Sequence, residues 1–250
     1  MRAVIVIPAR YGSTRFPGKP LVPIAGISLI RRVYERAATS RRANAVYVAT
    51  DDDRIFAHVS EFGGNVVKPE GEFQSGTDRI AAALPLIETI DGGTFDIIVN
   101  VQGDEPLIDM TAVDALIDLL SGAAGSQPAD VIHMGTLASP LESDDELQAR
   151  DVVKVVVDAM NNALYFSRAA IGSRETALRH IGVYAYRRAV LERFVTLPPS
   201  PLERAESLEQ LRALQQGFKI AVLQTTKPHH GVDRPEDVAR VESELARLHA

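Results

Sequence analysis

The chain has 250 residues, 46% hydrophobic and 24% charged, enough to bury one large α/β domain without covalent staples. It contains no cysteine, which excludes disulfides, thiolate metal centres and a cysteine nucleophile. Its formal net charge of -6 argues against a broad nucleic-acid surface. The apolar start, Met1 to Pro8, is too brief for a signal peptide, and no apolar run approaches the ~20 residues of a spanning helix. A cytoplasmic protein with no membrane insertion is the expectation.

In chain order, short β-branched runs alternate with helical patterns. Val4 to Ile7 reads as a buried strand, and Leu29, Ile30, Val33, Tyr34 and Ala37 recur at helical spacing. Val46 to Ala49 is a second strand, Arg54 to Phe62 a helix and Asn65 to Val67 a third strand. Thr77 to Ile90 reads as a helix and Ile97 to Val101 as another buried strand. Thr111, with Asp114 three residues on, reads as a capping box opening the next helix. This rhythm predicts an α/β fold with a doubly wound, mostly parallel sheet. Ligands on such sheets bind beyond the carboxyl ends of the strands.

The middle of the chain is less regular. Gly122 to Pro128 is a small-residue connection. Val131 to Leu137, Val153 to Val157, Ala163 to Phe166 and Ile181 to Tyr186 look like strands without regular helices between them. The reading is one domain over 1–250 with a smaller, mixed antiparallel insertion at 138–217. Glu203 to Gln216 then reads as a helix, Ile220 to Gln224 as a returning strand and Pro235 to Leu248 as the final helix.

The first strand runs into Pro8-Ala9-Arg10-Tyr11-Gly12-Ser13-Thr14-Arg15-Phe16-Pro17-Gly18-Lys19-Pro20. Glycines permit close approach of the backbone, Arg10, Arg15 and Lys19 supply positive charge, and the loop's N–H groups can cradle phosphate oxygens. The glycine spacing fits neither a Walker A loop nor the dinucleotide pattern. Asp104 closes the strand at 97–101, where a carboxylate suits either a magnesium ligand or a turn. Asp233-Arg234-Pro235-Glu236 by itself reads as a helix cap, and Gln74 to Arg79 as a turn into a helix.

The loop resembles the signature of the sugar nucleotidyltransferases, and in detail that of the CMP-Kdo synthetase family, the 3-deoxy-manno-octulosonate cytidylyltransferases. Further blocks agree in order: Ala49-Thr50-Asp51, Gln74 to Arg79, Asn100 to Pro106, Tyr165 to Arg168, Arg179 to Tyr184, Ser207 to Arg212 and Gly231-Val232-Asp233. The resemblance implies a nucleotide-diphospho-sugar transferase-like fold. It implies transfer of CMP from CTP to the anomeric hydroxyl of 3-deoxy-manno-octulosonate (Kdo), with release of pyrophosphate, in lipopolysaccharide or capsule synthesis. It implies a catalytic set of Arg15, Lys19, Asp104 and Asp233, with magnesium on the two aspartates. CTP would lie against Arg10, Ser13, Arg15, Lys19, Ser75, Gly76, Thr77, Arg79 and Asp104. The sugar acid would lie against Gln102, Arg168, His180, Tyr184, Glu209 and Gln210. A homodimer is implied through the region around Pro198 to Glu203.

The sequence departs from the family in a short connection, Ala169 to Arg179, in Ala149-Arg150-Asp151 and in Arg234. The short connection bears on the acceptor pocket's rim, a lid or a dimer contact. The competing readings are a cytidylyltransferase for another, sialic-acid-like ulosonic sugar, and a non-catalytic nucleotide-sugar binding protein. Retention of Lys19, Asp104 and Asp233 speaks against the second.

Overall fold

The structure, a computed structural model, describes residues 1–12, 16–122, 132–227 and 230–248, without the side chain of Leu248. Two compact units emerge, Met1–Met110 with Pro228–Ala250, and Thr111–Lys227.

The first unit begins with β1 (Ala3–Ala9), whose Val4, Ile5, Val6 and Ile7 are fully buried. A hairpin of β2 (Pro23–Ile24) and β3 (Ile27–Ser28) leads into α1 (Leu29–Ala37). Ser28 caps α1, and Leu29, Ile30, Val33 and Ala37 form its buried stripe. Then come β4 (Ala45–Thr50), α2 (Asp53–Glu61, capped by Asp52), β5 (Val66–Val67), α3 (Gly76–Asp91) and β6 (Ile97–Asn100). All pairings among β6, β1, β4 and β5 are parallel, in that spatial order. The chain therefore winds outward from β1 through β4 to β5, then returns to the other side of β1. That reversal is a topological switch point, and the loops after β1 and β6 flank it. A strand buried on both faces must be apolar throughout, which is why these strands read as continuous runs.

The second unit takes up α4 (Met110–Ser121) from Thr111, followed by β7 (Met134–Pro140), α5 (Asp144–Gln148), β8 (Lys154–Val157), β9 (Ala163–Ser167) and β10 (Ala177–Arg187). After these come α6 (Arg188–Val195), α7 (Pro201–Glu206), α8 (Gln210–Gln215) and β11 (Ile220–Gln224). Within this unit β11 pairs β7 in parallel, while β7–β10, β10–β8 and β8–β9 are antiparallel. α9 (Asp237–Leu248) closes the chain in the first unit.

Several expectations need correction. α4 begins at Met110, so Thr111 lies inside its first turn rather than capping it. The strand expected from Val131 begins at Met134; Val131, like most of the Gly122 to Pro128 connection, lies outside the described residues. The strands from β7 to β10 are not free of intervening helix, since the short α5 lies between β7 and β8; α6 follows the last of them. The single helix expected over Glu203 to Gln216 is two, because Ser207 takes a left-handed backbone at φ 54 and caps α7. Arg212 Nη2 reaches back across that break to Glu203 Oε1 at 2.6 Å, an almost buried pair that fixes the angle between α7 and α8. Among the described residues no helix is long and apolar enough to cross a membrane.

Candidate active site

The loop after β1 is held by its own chemistry. Gly18 adopts φ 70, its N–H donates to the Tyr11 carbonyl at 3.1 Å, and an added Cβ would meet the Tyr11 hydroxyl at 3.1 Å. Arg54 lies 3.2 Å from the centre of the Tyr11 ring while two of its nitrogens grip the Asp52 carboxylate. That grip holds the Asp52 carboxyl below its usual range. The folded loop delivers Lys19 at the start of a short 3-10 turn, Lys19–Leu21. Arg10 is exposed, with no ion pair among the described residues. Ser13 and Arg15 lie outside the described residues.

Lys19 Nζ stands 2.7 Å from Asp104 Oδ2 and 3.4 Å from Asp233 Oδ1. Three residues from distant parts of the chain thus meet at one point, and backbone packing explains how. Gly103 has no Cβ because one would stand 3.1 Å from the Pro8 carbonyl oxygen, which presses the loop after β6 against the end of β1. The Val232 N–H donates to the Asp104 carbonyl at 2.9 Å, which seats the 231–233 segment beside Asp104. The capping reading of Asp233 is corrected here. The turn is closed by Asp237, whose Oδ2 accepts from the N–H groups of both Asp233 and Arg234 at 2.9 Å, and α9 starts only at Asp237.

The pair of carboxylates fits a divalent cation. Both offer hard oxygen donors, and their separation is already bridged by one positive charge. Among the described residues no three His, Cys, Asp or Glu side chains converge as a metal cage. Magnesium rarely uses one; it takes one or two carboxylates and completes its shell with water and substrate phosphates.

At the start of α3, Ser75 Oγ accepts from the Asp78 N–H at 3.1 Å and Asp78 Oδ2 accepts from the Ser75 N–H at 3.2 Å, a reciprocal capping box. The bland reading of this stretch as a helix start is therefore right about its backbone. Gly76 has no Cβ for a local reason, since Pro8 Cγ would stand 3.1 Å away. Thr77 is buried at the same helix start. Arg79 is buried too, bonded through Nη2 to Asp51 Oδ2 at 2.9 Å, while its Nη1 has no hydrogen-bond partner. Gln102 is held in place by Nε2 donating to Asn100 Oδ1 at 3.1 Å.

The residues expected against the sugar acid fall in the second unit, except Gln102. β10 has a bulge between Ile181 and Tyr184 opposite β7. Four residues of regular strand span about 13 Å. With the bulge, the His180 and Tyr184 rings lie only 5.5 Å apart. Thr136 Oγ1 serves the bulge, reaching the Val183 carbonyl at 2.7 Å and His180 Nε2 at 3.0 Å. The His180 ring keeps some exposed surface, but crowding by Phe166 and Tyr184 desolvates it and lowers its pKa to about 3. His180 is thus a neutral hydrogen-bonding group, which removes the positive-charge role the sequence left open. Burial pushes the Tyr184 phenol well above its usual value, so it also stays protonated. Glu209 stands at the N-cap of α8, and the adjacent Gln210 is buried with its Nε2 lacking a partner.

The His180 shift has a measurable sign. Its folded pKa lies below the ~6.5 of the unfolded chain, so the neutral ring contributes stability above pH ~6.5 that is lost on acidification. Between the two values the loss is about 1.4 kcal/mol per pH unit. Urea denaturation at pH 7 and pH 5 should show a His180→Gln variant losing less stability than the parent. Equal losses would contradict the desolvated imidazole.

One buried cation escaped the sequence reading. Lys154, the first residue of β8, is fully buried, and its Nζ donates to the carbonyls of Ala149 and Val152 at 2.7 Å and of Arg168 at 2.8 Å. The available signal was a lone lysine inside the apolar run Val152 to Val157.

A lysine facing two carboxylates, set beside the switch point of a parallel sheet, goes with a chain that is an α/β enzyme of nucleotidyl-transfer type. It belongs to the cytidylyltransferase family, whose pattern matches residues 4–220. It is 48% identical to a 3-deoxy-manno-octulosonate cytidylyltransferase of Syntrophotalea carbinolica, covering 99% of this chain and 100% of that one. It is 44% identical to an 8-amino-3,8-dideoxy-manno-octulosonate cytidylyltransferase of a Shewanella species, over 98% of this chain and 99% of that protein. A solved CMP:2-keto-3-deoxy-manno-octonic acid synthetase complexed with CTP superposes with a TM-score of 0.85 at 40% identity, covering 99% of both chains.

Proposed function

We propose that the chain transfers CMP from CTP to 3-deoxy-manno-octulosonate, giving CMP-Kdo and pyrophosphate. The observation that carries the proposal is the meeting of Lys19, Asp104 and Asp233 at the switch point, in a chain whose full length aligns with a Kdo cytidylyltransferase.

The anomeric oxygen attacks the α-phosphorus of CTP, the bond to the β-phosphate bridging oxygen breaks, and the hydroxyl proton is released. Lys19, Arg10 and Arg15 hold the triphosphate and offset charge building on the α-phosphate and on departing pyrophosphate. Ser13 and the α3 start, with Ser75, Gly76 and Thr77, complete the nucleotide contacts, and the open Nη1 of Arg79 supports a nucleotide contact there. Asp104 and Asp233 are the residues that would hold magnesium, which when bound acidifies the attacking hydroxyl and neutralises phosphate charge. Gln102, Tyr184, Glu209 and Gln210 read the sugar hydroxyls, neutral His180 adds one hydrogen-bonding group, and Arg168 meets the carboxylate. The buried, unpartnered Nε2 of Gln210 supports its place in that set. Residues 138–217 carry most of the acceptor contacts and the homodimer interface in this reading.

Acceptor competition tests the sugar assignment. Kdo and its 8-amino-3,8-dideoxy analogue, supplied together at equal concentration, should yield mainly CMP-Kdo. Predominant transfer to the amino sugar would overturn the assignment while leaving cytidylyl transfer intact.

A further inference from the structure

We propose that Lys154 and Glu206 are positioning residues that set Arg168 for the acceptor's carboxylate, a role resting on the reading of Arg168 given above. The backbone of Arg168 is gripped at both ends. Its N–H donates to Glu206 Oε2 at 2.9 Å, and its carbonyl accepts from Lys154 Nζ at 2.8 Å. The guanidinium is aimed by two further carbonyls, with Nε on Glu206 O at 3.1 Å and Nη1 on Arg150 O at 3.4 Å. Lys154 controls the second of these as well, because its other two bonds fix Ala149 and Val152, which bracket Arg150. Glu206 is itself locked by Ser167 Oγ donating to Oε1 at 2.9 Å.

A buried ammonium at the start of a strand is expensive unless every proton is taken, and here three carbonyls take all three. Desolvation, with Arg150 and Arg168 nearby, lowers the Lys154 pKa, against the opposing pull of Asp151 and Glu206. An apolar residue would fill the space at lower cost if filling were the only task. What lysine adds is a rigid three-way tie between the 149–152 segment and Arg168. An arginine held in this way meets a carboxylate without first losing rotamer freedom.

The test is a cycle of Lys154→Met and Arg168→Ala read in separate KM values. Lys154→Met should raise the KM for the sugar acid about tenfold or more, with the KM for CTP within about twofold of the parent. In the Arg168→Ala background the same change should shift the sugar KM less than about threefold, because the group it positions is gone. Equal shifts in both backgrounds, or a parallel rise in the KM for CTP, would mean that Lys154 only supports the fold and would overturn the proposal. Arg168→Ala with an unchanged sugar KM would instead remove the reading of Arg168 on which the proposal stands. Should Lys154→Met not fold, Ser167→Ala loosens the grip from the Glu206 side. It should raise the sugar KM about threefold in the parent and not in Arg168→Ala; no rise in the parent would overturn the proposal.

Discussion

Changing Asp104 to Asn lowers turnover about a thousandfold or more and leaves CTP binding nearly intact. The substitution keeps the shape of the side chain and removes one of two negative charges that meet at Lys19 Nζ. Magnesium, which Asp104 and Asp233 would hold, would supply several kcal/mol to a transition state in which negative charge builds, and roughly 4 kcal/mol corresponds to a thousandfold. CTP keeps the other contacts proposed for it, in the loop after β1 and at the start of α3, and loses only the one through Asp104. Titration calorimetry with CTP beside steady-state turnover separates the two effects. A variant that turns over at near the parent rate would remove Asp104 from the metal position.

Changing Lys19 to Met is expected to act in two opposite directions. The ammonium sits 2.7 Å from one carboxylate and 3.4 Å from the other, so it offsets one of the pair's two negative charges. Its loss removes a donor to the triphosphate and should cost about a hundredfold or more in kcat/KM for CTP. It also leaves Asp104 and Asp233 without that counter-charge. The nucleotide-free variant should therefore bind a divalent cation about tenfold more tightly than the parent, since metal no longer competes with lysine. Lys19→Arg should not restore activity, because a planar fork cannot place one compact charge between two carboxylates. Weaker metal binding in Lys19→Met would contradict the competition.

The first unit was largely legible in the sequence because its signals are local. A strand buried on both faces must be an unbroken β-branched run, and an amphipathic helix must repeat its apolar residues, as at Leu29, Ile30, Val33 and Ala37. The switch point follows from the order of such units, so residues in the connections that follow strands, Lys19 and Asp104 among them, could be marked as site residues. The second unit was harder because its decisive features are single backbone departures. Ser207 splits a helix that is periodic on both sides of it, and nothing in its side chain demands a left-handed φ. The bulge before Tyr184 likewise depends on the Thr136 hydroxyl of another strand.

Side-chain roles divide in the same way. Asp233 and Asp237 are both plausible turn residues by spacing, and only the position of the chain distinguishes the one that closes the turn from the one that meets Lys19. The environment of His180 comes from Phe166, Tyr184 and Thr136, so its neutral state had no local signature. Lys154 shows the converse: its oddity was visible in the sequence, but the three carbonyls that explain it come from separate segments.

The most direct test of the central claim is pyrophosphate release from CTP and magnesium, with and without Kdo, at equal enzyme concentration. Release that requires Kdo, and that fails when ATP or GTP replaces CTP, is the predicted result. Absence of release with Kdo present, or release indifferent to it, would contradict the assignment of this chain as a Kdo cytidylyltransferase.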